Sequence, residues 1–357
     1  MEISYEPRIK PLIWHGSELL ILDQTKLPHT EEYIIARDHE TVAKAIEAMQ
    51  VRGAPAIGIA AAYAVVLGAK NALNKCSKVD DLVAEVKKVC DRLRSTRPTA
   101  VNLFWALDRM LARLQNSISE TSDLREVVTD LEEEAKAIHE EEFRAELEMS
   151  KFGAKLLHDG DTVLTHCNAG GLATGTGLGT ALGVIKLAYR QGKDIKVIAT
   201  ETRPVLQGAR LTVYELVKEG IPTTLITDNM VGYVMYRGLV DCVIVGADRV
   251  LRDGHVINKI GTYTIAVLAH EHGVPFYVAA PRSSFDLKSK VNDVVIEERS
   301  EYEVKYVMGM KVTLDEVGVM NPAFDITPPK YVSAIITEYG VIRPPFSKNI
   351  GLVLGGG

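Results

Sequence analysis

Cysteine is scarce in this sequence. The four present, Cys76, Cys90, Cys167 and Cys242, form no CxxC pair. Such scatter argues against a disulfide framework or a structural zinc site and suits a reducing compartment. Basic residues are also in deficit, with 41 Lys and Arg against 47 Asp and Glu and a formal charge of -6. Nucleic-acid surfaces are usually basic, so the composition gives no support to a nucleic-acid partner. Long apolar runs are missing too: the longest weakly polar stretch, Ala56 to Ala69, is too short to span a bilayer and reads as a buried helix. The opening residues, MEISYEPRIKPLIW, lack the apolar core of a signal peptide. A cytoplasmic chain with no membrane partner is therefore expected. No internal repeat or low-complexity tract is evident.

What is present is the material of an ordinary soluble protein. A 357-residue chain, 46% hydrophobic and 25% charged, makes one large or two moderate domains with ample buried core. IKPLIW and SELLILD look like strands, with His15-Gly16 as the turn between them. Helical patterns then dominate to about residue 150. In HETVAKAIEAMQ the apolar Val42, Ala45, Ile46 and Met49 recur at helical spacing, and Gly53 can stop the helix. AIGIAAAYAVVLGAK, VDDLVAEVKKVCDRLRS and TAVNLFWALDRMLARLQ follow in the same style. The acidic stretch from SDLREVV to SKFGAKLL reads as a long helix with a solvated face, and the domain junction is placed within it. The expected domains are a mainly helical one with short N-terminal strands at 1–135 and a Rossmann-like α/β one at 136–357.

The second domain is argued from a change of style near residue 160. TVLTHC, KVIAT, TTLIT, CVIVGA and PFYVAA are short apolar runs rich in β-branched residues, separated by helical segments that end at or near glycine. That alternation implies a parallel sheet covered by helices on both faces. In open α/β sheets ligands gather beyond the carboxyl ends of the strands. The residues there are Cys167, Glu201, Asp228 and Asp248, a thiol and three acids expected to face one crevice.

The glycine-rich run THCNAGGLATGTGLGT, at 165–180, meets neither common nucleotide pattern. A GxGxxG reading puts Thr180 or Leu182 where a small residue is needed, and a Walker reading puts Thr176 at the lysine position. Its glycines either present free N–H groups to an anion or allow close packing; both readings stay open. Cys167 ends a strand and is expected to precede a helix N-terminus, whose field favours thiolate, whereas apolar burial would oppose it. Cys242, inside an apolar strand, reads as a core residue. Asp248 is either an acid made available by partial desolvation or a turn cap, and Asp228 and Glu201 carry the same two readings. Arg52 and Arg97, each beside a helix breaker, suit either a phosphate or a surface ion pair. Lys259, after Asn258, is a further candidate contact for a phosphate or hydroxyl. His270 and His272 bracket Glu271 without HExxH spacing, so no metal site is read there.

These segments together resemble the methylthioribose-1-phosphate isomerase family over nearly the whole chain. The resemblance runs through LDQTKLP, RGAPAIG at 52–58, STRPTAVNLFWAL at 95–107, the 165–183 run, ETRPVLQGARLT at 201–212, ITDNMVG, GADRV at 246–250, NKIGTY at 258–263 and NPAFDITPPKYVSAIITEYGVI. It implies an aldose–ketose isomerase of methionine salvage that is usually homodimeric, takes a small phosphorylated sugar and needs no metal or organic cofactor. Cys167 and Asp248 are implied to be catalytic, and Arg52, Gly53, Ala54, Arg97, Gln207, Asn258 and Lys259 to bind substrate. Two relatives share the α/β domain: ribose-1,5-bisphosphate isomerase and the regulatory subunits of the translation-initiation exchange factor. STRPTAVNLFWAL resembles the methylthioribose enzymes rather than either.

Overall fold

Leu12–Trp14 (β1) and Leu19–Leu22 (β2) pair antiparallel, with Leu12 opposite Ile21 and Trp14 opposite Leu19. The turn between them falls at His15-Gly16, as expected, with Gly16 in the left-handed region. A third strand not foreseen in the sequence, Tyr33–Ala36 (β3), pairs with β2. The structure, a computed structural model, describes residues 5–97 and 100–355. These form two compact units: a helical unit of Glu6–Arg144 with Gly171–Gly179, and an α/β unit of Tyr5, Ala145–Gly170 and the chain from Thr180 onward.

The helical unit follows from its apolar spacing. His39–Glu47 (α1) starts where the Asp38 carboxylate accepts from the Thr41 amide, satisfying one of the free N–H groups of the first turn. Ala54–Ala72 (α2) is apolar all round and is the core helix, packed against Val79–Arg94 (α3) and Val101–Glu120 (α4). Among the described residues it is the one helix long and apolar enough to cross a membrane, and most of it is buried in this core. The acidic stretch is one continuous helix, Leu124–Ala154 (α5), and the division between the units falls within it. Its acids are not all solvated: Glu132 pairs with Lys70 and Glu134 with Arg109.

In the α/β unit the expected apolar runs become Thr162–Thr165 (β4), Lys196–Thr200 (β5), Thr223–Ile226 (β6) and Cys242–Val245 (β7). Arg249–Leu251 (β8), Val256–Lys259 (β9), Phe276–Ala279 (β10), Phe324–Thr327 (β11), Ala334–Thr337 (β12) and Gly340–Ile342 (β13) follow. The helices between them are Ala181–Arg190 (α6), Val213–Glu219 (α7), Val231–Tyr236 (α8), Thr262–Glu271 (α9) and Phe346–Val353 (α10). The main sheet runs β13-β12-β10-β7-β4-β5-β6, parallel except for the edge strand β13. Alternate residues feed two cores. Val163, Val197, Cys242 and Ile244 join one, and Leu164, Ile198, Val243 and Val245 join the other, so both faces are covered. Cys242 is buried, as read from the sequence. A second, four-stranded sheet of Phe285–Asp286, β8, β9 and β11 was not expected.

Candidate active site at the strand ends

The strand order reverses at β4: the chain proceeds to β5 and β6 on one side, then returns to lay β7 on the other. Ligand crevices of open parallel sheets lie outside the strand ends at such a reversal. β4 and β7 are hydrogen-bonded neighbours, with Leu164 opposite Val243. Cys167 leaves the end of β4 and Asp248 leaves the end of β7. Gly246, two residues ahead of Asp248, lies so close to Ala169 that a Cβ there would stand 2.9 Å from the alanine methyl. The two turns therefore touch.

Cys167 does not precede a helix of any length. The next element is a single turn, Gly171–Thr174, and α6 begins only at Ala181. In place of a helix dipole, the thiol is set by a strained turn. Cys167 has φ 65, and Thr202 across from it has φ 63, a conformation costly for a β-branched residue. The Cys167 amide donates to Thr202 Oγ1 at 2.8 Å, and the Cys167 carbonyl accepts from Thr212 Oγ1 at 2.6 Å. The Asp228 carboxylate fixes the opposing turn by accepting from the amides of Thr202 at 2.8 Å and Arg203 at 2.7 Å. Asp228 thus caps, though on a neighbouring strand's turn. Glu201, beside it, is held above the usual carboxylate range by burial and by the negative charge of Asp228.

His166 ties this turn to the second sheet. Its Nε2 lies 2.8 Å from the carbonyl of Ile260, which can only accept, so Nε2 carries the proton and Nδ1 accepts from Thr200 Oγ1 at 2.6 Å. Burial depresses its pKa and keeps the ring neutral. Gly261 packs against the same ring. Asn258 and Lys259, at the end of β9, are therefore brought to the Cys167 turn. Asn258 donates to Thr262 Oγ1 at 2.9 Å, while buried Lys259 donates to the Ala323 carbonyl at 2.8 Å, with its ammonium 4.6 Å from the Phe324 ring. Asp325 faces Asn258 across the ladder and caps α9 through the amides of Gly261 and Tyr263. Burial raises its pKa to about 6.

Gln207 opens a π-helical turn, Gly208–Thr212, after β5. It is buried, and its amide oxygen has no hydrogen-bond partner. Buried acceptors in that condition are uncommon and suit a ligand hydroxyl. Asp248 is exposed. Its backbone amide donates to Ile257, joining it to β9. No cluster of three or more His, Cys, Asp or Glu side chains among the described residues could hold a metal ion.

The remaining candidates lie in the helical unit. Arg52 precedes Gly53, the N-cap of α2, and Ala54 is its first residue; Arg97 lies between α3 and α4. Gly58 abuts the carbonyl of Asn102, so the N-terminal turns of α2 and α4 meet, each preceded by one of the arginines. Two such helix starts with cationic side chains suit an anion. Gly53 has φ 100, and a Cβ on it would overlap the Ala173 carbonyl. The glycine-rich run is thus divided: Cys167 to Gly170 belong with the α/β unit and Gly171–Gly179 with the helical unit, where close backbone approach is what the glycines permit.

Sequence reasoning missed His166, Thr200, Thr202, Thr212, Asn168 and the buried pair Lys186–Glu215. The pair left one trace, a lysine and a glutamate within the otherwise apolar helix faces of LGVIKLAYR and VYELVKE.

A family model described as the Initiation factor 2 subunit family matches residues 50–344. The chain is 52% identical over 344 residues to a methylthioribose-1-phosphate isomerase of Pseudothermotoga lettingae, covering 96% of this chain and 97% of that protein. Among solved structures it resembles a 5-methylthioribose 1-phosphate isomerase from Pyrococcus horikoshii (42% identity, TM-score 0.93, 99% of each chain covered). It also resembles a chain from A. fulgidus named as the delta subunit of translation initiation factor eIF-2B (49% identity, TM-score 0.90, 97% of this chain and 99% of that one).

Proposed function

The chain belongs to the initiation factor 2 subunit family, and we propose that within it this protein is an aldose–ketose isomerase. It converts 5-methylthioribose 1-phosphate to 5-methylthioribulose 1-phosphate, a step of methionine salvage. The observation that carries this reading is the departure of Cys167 and Asp248 from neighbouring strands where the strand order reverses, on turns that touch. The relatives named as isomerases at about half identity over nearly the full chain support the same substrate.

The chemistry follows from the substrate. Its anomeric oxygen bears phosphate, so no free aldehyde forms; the ring opens with the ester in place. Asp248 protonates the ring oxygen as the C1–O bond breaks, and C1 becomes an oxocarbenium. Cys167 as thiolate takes the proton from C2, the C–H pair forms the C1=C2 bond, and an enol phosphate results. The thiol returns that proton to C1 while the 2-hydroxyl gives its proton to Asp248, leaving the ketone and restoring the acid. Substrate contacts are assigned to Arg52, Gly53, Ala54, Arg97, Gln207, Asn258 and Lys259.

The test is a substrate panel of methylthioribose 1-phosphate and ribose 1,5-bisphosphate with wild type, Cys167→Ala and Asp248→Asn. Turnover of the first substrate, abolished in both variants, is expected; turnover of the bisphosphate alone would transfer the assignment to that isomerase. Absence of turnover with tight association to a nucleotide exchange complex would favour the regulatory role that the name of the A. fulgidus relative carries. In deuterated water, label at C1 acquired by exchange at the thiol before reprotonation marks proton transfer, whereas full retention of the substrate hydrogen favours a direct C2-to-C1 hydride shift.

We further propose a cytoplasmic homodimer. The cysteines are unpaired, and the exposed Met308, Met310, Val312 and Leu314 form an apolar run of the kind that marks protein contacts. Light scattering at twice 39.1 kDa is expected, and a monomer would contradict it.

A further inference from the structure

Beneath the Cys167 turn lies a buried ion pair that the reaction does not use. Lys186 of α6 donates to Glu215 Oε2 of α7 at 2.7 Å, with side chains 1% and 0% exposed. The other carboxylate oxygen accepts from Asn168 Nδ2 at 2.9 Å. Asn168 follows Cys167 directly and also bonds Thr212, whose hydroxyl holds the Cys167 carbonyl. Gly170 presses against the carboxylate so closely that a Cβ would overlap it. Replacing such a pair by apolar residues is often neutral or stabilising, so stability alone does not account for its presence.

We infer that Glu215 and Lys186 are positioning residues for Cys167, an inference that rests on the role proposed for that thiol. Glu215 holds Asn168, and with it the left-handed backbone of Cys167. Lys186 cancels the carboxylate charge, so that thiolate formation beside it is not opposed. Other charged and titratable groups nearby include neutral His166 just after β4, Glu201, Arg203 and Asp228 after β5 and β6, Arg210 on the π-helical turn, Asp248 after β7, Lys259 and Asp325 on the second sheet, and Tyr5, Glu219 and Arg190 next to Glu215. They stay unchanged in the variants below.

The experiment measures Cys167 alkylation by iodoacetamide against pH, resolved by peptide mass spectrometry, beside kcat and KM for methylthioribose 1-phosphate. Glu215→Gln keeps an oxygen for Asn168 and removes the negative charge, so the alkylation midpoint falls; Lys186→Met removes the positive charge, so it rises. Each shift is expected to be about half a pH unit or more, and the double Glu215→Gln, Lys186→Met variant returns close to wild type. The apolar double variant Glu215→Leu, Lys186→Met frees Asn168, and kcat falls about tenfold or more with KM within about twofold. If that protein does not fold, Asn168→Ala with the pair intact reads the same link and must show the same split. Identical midpoints in all the variants, or full kcat once Asn168 is released or removed, overturns the inference. Full turnover by Cys167→Ala would instead remove the proposed function and leave the alkylation order standing, so the two failures are told apart.

Discussion

Thr202→Val changes one hydroxyl and little else. Valine has the same shape and branching, so the cost of a β-branched residue at φ 63 is common to both proteins. What disappears is the acceptor for the Cys167 amide at 2.8 Å, with longer contacts to the Thr200 hydroxyl at 3.3 Å and carbonyl at 3.4 Å, in a side chain that is wholly buried. A buried N–H left without a partner costs about 1–3 kcal/mol. If the α/β unit unfolds cooperatively as roughly 200 residues at about 2.1 cal/mol/K each, this lowers Tm by about 2–7 °C. The activity should fall further than the stability suggests. A left-handed conformation costs a non-glycine residue about 1–2 kcal/mol. Without its anchor, Cys167 relaxes from φ 65 and carries its thiol away from C2. Displacement on the ångström scale costs up to about a hundredfold in rate, so kcat drops about ten- to a hundredfold while KM stays within about threefold. Calorimetry and steady-state kinetics check both numbers, with Thr202→Ser as the control that keeps the oxygen. The reasoning is refuted if valine leaves kcat and Tm unchanged, or if serine loses as much as valine.

Gly53→Ala should cost well over 2 kcal/mol, because the added methyl meets the Ala173 carbonyl and the φ is 100, whereas Gly160→Ala, at φ 88 in open space, should cost only about 1 kcal/mol; urea titrations of the pair decide this. Arg97→Ala and Lys259→Met each remove a cation, and KM for the phosphorylated sugar is expected to rise about ten- to a hundredfold with kcat changed less, read from steady-state kinetics. Asp325 gives a pH prediction. Its folded pKa, raised to about 6 by burial, lies above the unfolded value of about 3.9, so between them the folded chain binds more protons than the unfolded one. Its contribution to stability is therefore greatest below pH 4 and declines by about 2–3 kcal/mol as the pH rises to 6. Urea unfolding of wild type and Asp325→Asn across pH 4–7 should show that slope in the first protein and lose it in the second.

The main sheet was legible because each of its strands must be apolar on both faces, and runs such as CVIVGA can hardly do anything else in a soluble chain. From the sheet alone followed which residues leave its carboxyl edge, since a strand that ends in a thiol or an acid delivers it there. The second sheet was illegible for the opposite reason. Asn258 finds its partner in Asp325, far along the chain, and no local pattern in VINK or FDIT announces that pairing. The run of glycines misled in a subtler way. Strand followed by glycines suggests a helix start, yet here the residues after Gly170 leave for the helical unit and the helix that follows Cys167 is a single turn.

That loss changes the physical account of the thiol. A helix terminus would act through its field, which any residue at that position feels equally and which salt screens. A left-handed turn held by Thr202, Thr212 and Asn168 acts through geometry instead, and each of its bonds is a side chain that can be removed singly. The two accounts part on one comparison. If the turn matters, Thr212→Val should lower kcat about as much as Thr202→Val, since each deletes one anchor of the same residue from opposite ends of its peptide. If field alone matters, both neutral substitutions should leave the pH at which Cys167 alkylates, and kcat with it, where they were. Measuring kcat and the alkylation midpoint in these two variants at low and high salt separates geometry from field, and a salt-dependent kcat unmoved by either valine would return the case to electrostatics.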